Sequence, residues 1–296
     1  MQEINCIIIY DTSDESKILY TSESIVDVTG YTQEEMRGRN GYSLIDSSTL
    51  NVIQDASMHI RDEDNMATVL YTNIRHKTEG LIPIESVAGR CYDIVVGVTT
   101  RADKGKPRIR ASYATSQQIY TKQVDGIVAT QRSISSHQRH TYLATPLGRT
   151  DPRFSPEPAA CMILNRFTRR LTIEFATQTC EFLLGLDSEK CRGLSFLNYI
   201  DPDDLYSITE KFENVKVNNA VADFQFSFLS PQYRQSLPVE AAVFCSNDGI
   251  IVNIRLVKGE SRRKHGLIFL DFFVDSKVGV EERQTSHEYM GKVVQQ

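Results

Sequence analysis

No apolar run in this 296-residue chain approaches the roughly 18–20 residues needed to span a bilayer, which excludes a membrane-crossing helix. Cysteine is sparse. Cys6, Cys91, Cys161, Cys180, Cys191 and Cys245 are scattered in apolar contexts, with no two at C-x-x-C spacing. That pattern excludes a zinc or disulfide framework and predicts reduced core thiols. The N-terminus lacks a signal pattern, because Cys6-Ile7-Ile8-Ile9 is short and follows Glu3 rather than a basic residue. The expectation is therefore an intracellular protein, nuclear or cytoplasmic. There is no Walker-type phosphate loop and no G-x-S-x-G elbow. Metal ligands do not cluster at usable spacing. Zinc-finger cysteines, a basic helix–loop–helix segment, a positively faced helix-turn-helix and a kinase transmitter region are all missing. A net charge of −5 is too mild for a general polyanion binder. These absences predict a protein that is not an enzyme, holds no metal and has no DNA-binding motif of its own.

What the chain does have is a duplication. Gly30, Arg37-Gly38, Ile45-Asp46, Leu50 and Ile53 recur as Gly185, Arg192-Gly193, Ile200-Asp201, Leu205 and Ile208, all at an offset of 155 residues and without a gap. Apolar, glycine and cap positions that share one register predict two copies of one domain. The length suits two domains of about 100–120 residues with a linker. A hydrophobic content of 41% is enough to fill both cores.

Each copy reads as strand, strand, short helices and then three strands. In the first, residues 4–10 are an apolar strand, residues 11–16 a turn, and Ile18-Leu19-Tyr20 a second strand. Residues 22–28 form a helical turn closed by Gly30, which tolerates the left-handed conformation. Thr32-Gln33-Glu34-Glu35 is a capping box. Residues 46–61 read as a longer helix with Leu50, Ile53 and Ile60 on one face. Residues 67–76, 81–92 and 94–101 are rich in strand formers and predict three antiparallel strands. In the second copy, residues 162–168 and 171–176 form the strand pair. Asp201-Pro202-Asp203-Asp204 starts a helix with an aspartate cap, an N1 proline and carboxylates at the positive end of the dipole. Leu205, Ile208, Phe212 and Val215 supply its buried stripe. Phe224, Phe226 and Phe228 alternate as a one-sided strand should, and so do Val239, Ala241, Val243 and Cys245. Asn247-Asp248-Gly249 is a hairpin turn ahead of Val252, Ile254 and Leu256. The fold class is α+β, with each copy a five-stranded antiparallel sheet carrying short helices on one face.

This order, with Thr29-Gly30-Tyr31-Thr32-Gln33-Glu34-Glu35 running on to Gly38-Arg39-Asn40, resembles the PAS domain. Gly193-Leu194-Ser195-Phe196, running on to Ile200-Asp201-Pro202-Asp203-Asp204, carries the same resemblance in the second copy. Through Ile163-Leu164-Asn165-Arg166-Phe167-Thr168 and Ser246-Asn247-Asp248-Gly249, the second copy is similar to the PAS modules of fungal white-collar-type transcription regulators. The resemblance implies a signalling or transcription-regulatory protein. Such a protein pairs with another PAS protein or with itself, and touches DNA only through partners. Flavin light sensors of the superfamily carry a cysteine after Gly-x-Asn in the short helix. Here Gly41 follows Gly38-Arg39-Asn40 and Phe196 holds the matched position, so no covalent flavin photocycle is expected. A haem reading needs a pocket histidine. The first copy offers only His59 on its long helix, and Asp62 and Glu63 close behind it read as an exposed face. The second copy has no histidine between Cys161 and Val257. No cofactor is expected.

The boundaries follow from composition. Residues 1–102 are the first domain, 103–158 a linker, 159–275 the second domain and 276–296 a polar tail. The linker is rich in serine, threonine, glutamine and arginine, and Pro152, Pro156 and Pro158 precede the second copy. Residues 267–274 read as a sixth strand able to pair with its own sheet or with another chain. The carboxylate pairs Glu34-Glu35 and Asp203-Asp204 lie in first helical turns, where the dipole accounts for them, so no catalytic residue is assigned. The interface candidates are Ile7, Ile9, Leu267 and Phe269. The alternative to a docking module is a small-ligand sensor, with a pocket formed by Phe224, Phe226, Phe228, Val239, Ala241 and Val243.

Overall fold

β-branched runs and helix caps build the same unit twice. The structure is a computed structural model that describes residues 3–62, 66–102, 118–124, 127–134, 158–219 and 221–257. The first repeat runs β1 (Asn5–Asp11), β2 (Ile18–Thr21), α1 (Ile25–Thr29), α2 (Gln33–Met36), a 3-10 turn at Gly41–Leu44, α3 (Leu50–Asp62), β3 (Ala67–His76), β4 (Gly80–Cys91) and β5 (Ile94–Arg101). A hairpin follows, β6 (Gln118–Val124) and β7 (Ile127–Ile134). The second repeat runs β8 (Ala160–Leu164), β9 (Ile173–Ala176), α4 (Thr179–Leu184), a 3-10 turn at Phe196–Tyr199, α5 (Pro202–Asn218), β10 (Val221–Ser230), β11 (Gln235–Cys245) and β12 (Ile250–Leu256).

The strand order is β2-β1-β5-β4-β3 in the first repeat and β9-β8-β12-β11-β10 in the second, which is the same antiparallel sheet. The match extends to single hydrogen bonds. Gly38 donates to the Ile18 carbonyl and Gly193 to the Ile173 carbonyl, each at the 155-residue offset. Lys17 bridges Asn40 as Thr172 bridges Ser195, and Ile45 bridges Ile74 as Ile200 bridges Phe228. β1 and β8 each carry a register shift in the same place, at Ile9/Tyr10 and Ile163/Leu164. Both repeats belong to one compact unit, Met1–Arg255.

Local chemistry accounts for the helix ends. Thr32 accepts from the Glu35 amide, and the Glu35 carboxylate accepts from the Thr32 amide, closing the capping box. Gly30 and Gly185 both end a helix in the left-handed conformation, at φ 79° and 63°. Asp201 caps α5 by accepting from Asp203, with Pro202 at the first position. Ile208, Phe212 and Val215 are buried on that helix as expected. Leu205, in the first turn of the helix, is not: it is 37% exposed. Among the described residues no helix is long and apolar enough to cross a membrane.

One element departs from the five-strand plan. β7 pairs with β3 from Ala67↔Ile134 to Val69↔Arg132, so the hairpin lengthens the first sheet to seven strands. These strands lie inside the segment read as a linker. Ile119, Tyr120 and Thr121 and then Ile127, Val128 and Thr130 are strand formers, and Asp125-Gly126 between them is a strong hairpin dipeptide. The polar composition of the surrounding stretch hid that signal.

Candidate functional site

The helical face of the first sheet does not close completely. A cavity of about 110 Å³ lies between sheet and helices. Ile8 and Tyr10 of β1 border it from the sheet, as do Leu70, Thr72 and Ile74 of β3, Ile84, Ser86 and Ala88 of β4, and Val95 and Thr99 of β5. Met36, Tyr42, Leu44, Ile53 and Ser57 border it from the helical side. The walls are mostly aliphatic, and their hydroxyls are largely paired with one another. Ser16 and Tyr42 share a hydrogen bond of 3.0 Å, Thr49 and Thr72 one of 3.1 Å, and Ser86 and Thr99 one of 3.1 Å. Burial pushes the Tyr10 phenol well above its usual range, with Cys6 and Tyr42 adding to the effect, so it stays protonated.

The repeat makes a direct comparison possible, because strand register fixes which residues correspond. Leu70 faces Ser86 across β3 and β4 as Phe224 faces Ala241 across β10 and β11, and Thr72 faces Ile84 as Phe226 faces Val239. The bridges at Ile74 and Phe228 complete the set. The six pocket candidates of the second repeat therefore correspond to Leu70, Thr72, Ile74, Ile84, Ser86 and Ala88, all of which line the cavity of the first. The cavity itself is lined by residues of the first repeat, not by those six candidates. In the second repeat the phenylalanines fill the corresponding space. Phe196, Phe212 and Phe228 are fully buried, and Phe224 and Phe226 nearly so. Their rings meet edge-on: Phe212 lies 5.1 Å from Phe224, and Phe196 lies 5.7 Å from Phe212 and 6.2 Å from Phe226. Phe228 stacks on Tyr199.

The cavity-side counterparts of Phe196 and Phe212 are Gly41 and Ser57, at the 155-residue offset. The Tyr10 ring takes the space beside Gly41, 3.2 Å from where a methyl group there would sit. Leu164 holds the Tyr10 position in the second repeat and leaves that space to Phe196. Ser57 is smaller than Phe212, and Leu70, Thr72 and Ile74 are smaller than Phe224, Phe226 and Phe228, which leaves room in the first repeat.

A second feature lies on the opposite faces of the sheets. Ile7, Ile9, Val87, Val96 and Val98 point away from the helices and are buried, and so are Ala242, Phe244 and Ile251 in the second repeat. Polar contacts tie the two repeats together. The Asn247 amide donates to Asn5 Oδ1 at 2.6 Å, and its side chain donates to the Glu3 carbonyl. Ser24 donates to Asp248 at 2.7 Å, and Asn219 to the Glu3 carboxylate at 3.0 Å. The Cys91 thiol reaches the Ala159 carbonyl at 3.3 Å. Gly89 sits where any side chain would collide with the Met66 carbonyl and with Asn253 of the second repeat. Ile7 approaches Gly249 of the Asn247-Asp248-Gly249 turn, which places this interface candidate at a contact within the chain. Ile9 is buried on the same face of β1. Leu267 and Phe269 lie outside the described residues, as does the side chain of His59.

The chemistry available is limited. All six cysteines are free and buried. Burial raises the thiols of Cys6 and Cys180, and Cys191 is pushed up to about 11. Cys161 is raised first by its hydrogen bond with Cys91 and then by burial. Protonated, enclosed thiols are poor nucleophiles. Among the described residues no group of three or more His, Cys, Asp or Glu side chains is placed to hold a metal ion.

No family model and no curated protein sequence matches the chain. Among solved structures, the chain is similar to a PAS domain of the Cronobacter turicensis RpfR quorum-sensing receptor, determined in complex with BDSF. The two are 11% identical with a TM-score of 0.31, and the match covers 35% of this chain and 98% of that one. What defines the fold here is the strand order and the hydrogen-bond register, both present twice in one chain.

Proposed function

We propose that the chain is a tandem PAS module, a non-enzymatic signalling or transcription-regulatory protein that works by contact between PAS surfaces. One observation carries this reading: the outer faces of the two sheets are buried where the repeats meet, through Ile7, Gly89, Asn247 and Asp248. The likeness of the second repeat to white-collar-type regulators supports a regulatory role in the nucleus or cytoplasm. DNA is then reached through a partner, either another PAS protein or a second copy of this chain. The test is Ile7→Arg, which places a charge in that contact. Transcript profiles of the source cell should change in the variant while circular dichroism shows both sheets intact. An unaltered profile from a chain whose repeats have come apart would remove this reading.

The cavity favours a second reading, in which the first repeat senses a small molecule and the second serves for contact. Native mass spectrometry of the chain purified from its source distinguishes the two. A mass-shifted species supports the sensor, and a bare chain supports the docking module alone.

A further inference from the structure

If the sensor reading holds, three properties of the cavity narrow what it takes. The first is size. A cavity of about 110 Å³ is slightly smaller than the engineered cavity of about 150 Å³ that accepts benzene in another protein. Drug-sized ligands need about 300–1,000 Å³, and haem and flavins belong to that larger class. The second is charge. Among the described residues no Lys, Arg, His, Asp or Glu borders the cavity, so a carboxylate or ammonium would be desolvated without a counter-charge from them. The third is the supply of hydrogen bonds. Ser16, Thr72, Ser86 and Thr99 bond to other protein hydroxyls. Tyr10 on β1 and Ser57 on α3 line the same space, and among the described residues their hydroxyls have no partner.

The geometry points to a small uncharged ligand with one polar group, such as a phenol, a short alcohol or a cyclic ketone, held by the hydroxyls of Tyr10 and Ser57. The second repeat shows how such a site closes, since Phe212 stands at the position of Ser57 and its ring is fully buried. Ser57 is therefore the residue that admits the ligand, and Tyr10 the residue that selects for an oxygen.

The experiment is ligand-observed NMR on the purified full chain with four probes: phenol, cyclohexanone, benzoate and riboflavin. Phenol and cyclohexanone should bind, benzoate at least about tenfold more weakly, and riboflavin not at all. Tyr10→Phe keeps the ring and should weaken phenol by about tenfold, the loss of one hydrogen bond. Ser57→Phe should abolish binding of both neutral probes. If that variant unfolds, Tyr10→Phe still decides the matter. Benzoate or riboflavin binding as tightly as phenol overturns the ligand class, and so does phenol binding that neither variant alters. In both cases the sensor reading stands. If none of the four probes binds and the chain from its source carries no extra mass, the sensor reading falls and this inference falls with it.

Discussion

Ser57 and Phe212 occupy one helical position in the two repeats, and a hydroxymethyl group leaves unfilled what a phenyl ring would fill. Phe212 touches Phe196 and Phe224 in a fully buried cluster, so Phe212→Ala removes a ring from a space with little freedom to collapse. The expected cost is about 3–5 kcal/mol, read as a lower urea midpoint for the second repeat. A loss below about 1 kcal/mol would mean that the cluster is not packed as described. The aromatic positions were legible in the sequence because period-2 alternation marks the inner face of a strand. Whether that face was filled was not legible, since alternation records direction and not volume. Only a comparison of the copies at the 155-residue offset, with Ser57 against Phe212 and Thr72 against Phe226, would have moved the pocket to the first repeat.

At the scale of elements, β3, the capping box and the aspartate-capped helix were readable because each has a local chemical signature. The hairpin β6–β7 was missed because its strand formers sit in a stretch dominated by serine, threonine, glutamine and arginine. The seam between the repeats was also missed. Its residues belong to elements that are ordinary in isolation: a glycine near the end of a central strand, a hairpin turn and the first residues of a strand. Gly89 on β4 is the sharpest test of that seam, because a side chain there meets the Met66 carbonyl and the Asn253 amide. Gly89→Val should cost about 1–3 kcal/mol by overpacking. It should also split one urea transition into two as the repeats uncouple. A single unshifted transition would show that β4 and β12 do not approach each other this closely.

At the scale of the whole molecule, polar contacts join the two sheets. Asn247 and Asp248 supply several of these contacts, to Glu3, Asn5 and Ser24. The double variant Asn247→Ala, Asp248→Ala leaves the Glu3 carbonyl and the Ser24 hydroxyl without these donors and acceptors, at an expected cost of about 1–3 kcal/mol. Hydrogen exchange should accelerate at the amides of β1 while those of β11 keep their protection. Equal protection in both strands would place the coupling elsewhere.

The bond from Asn247 to Asn5 spans 242 residues of sequence. A ribosome therefore makes the strand at the beginning of the chain long before it makes the turn that fastens it. During that interval Ile7 and the other apolar residues on the outer face of β1 and β5 have no Asn247-Asp248-Gly249 turn beside them. Newly made first repeats on neighbouring ribosomes can meet through that surface, so slow translation of the second half is a hazard that this architecture carries with it.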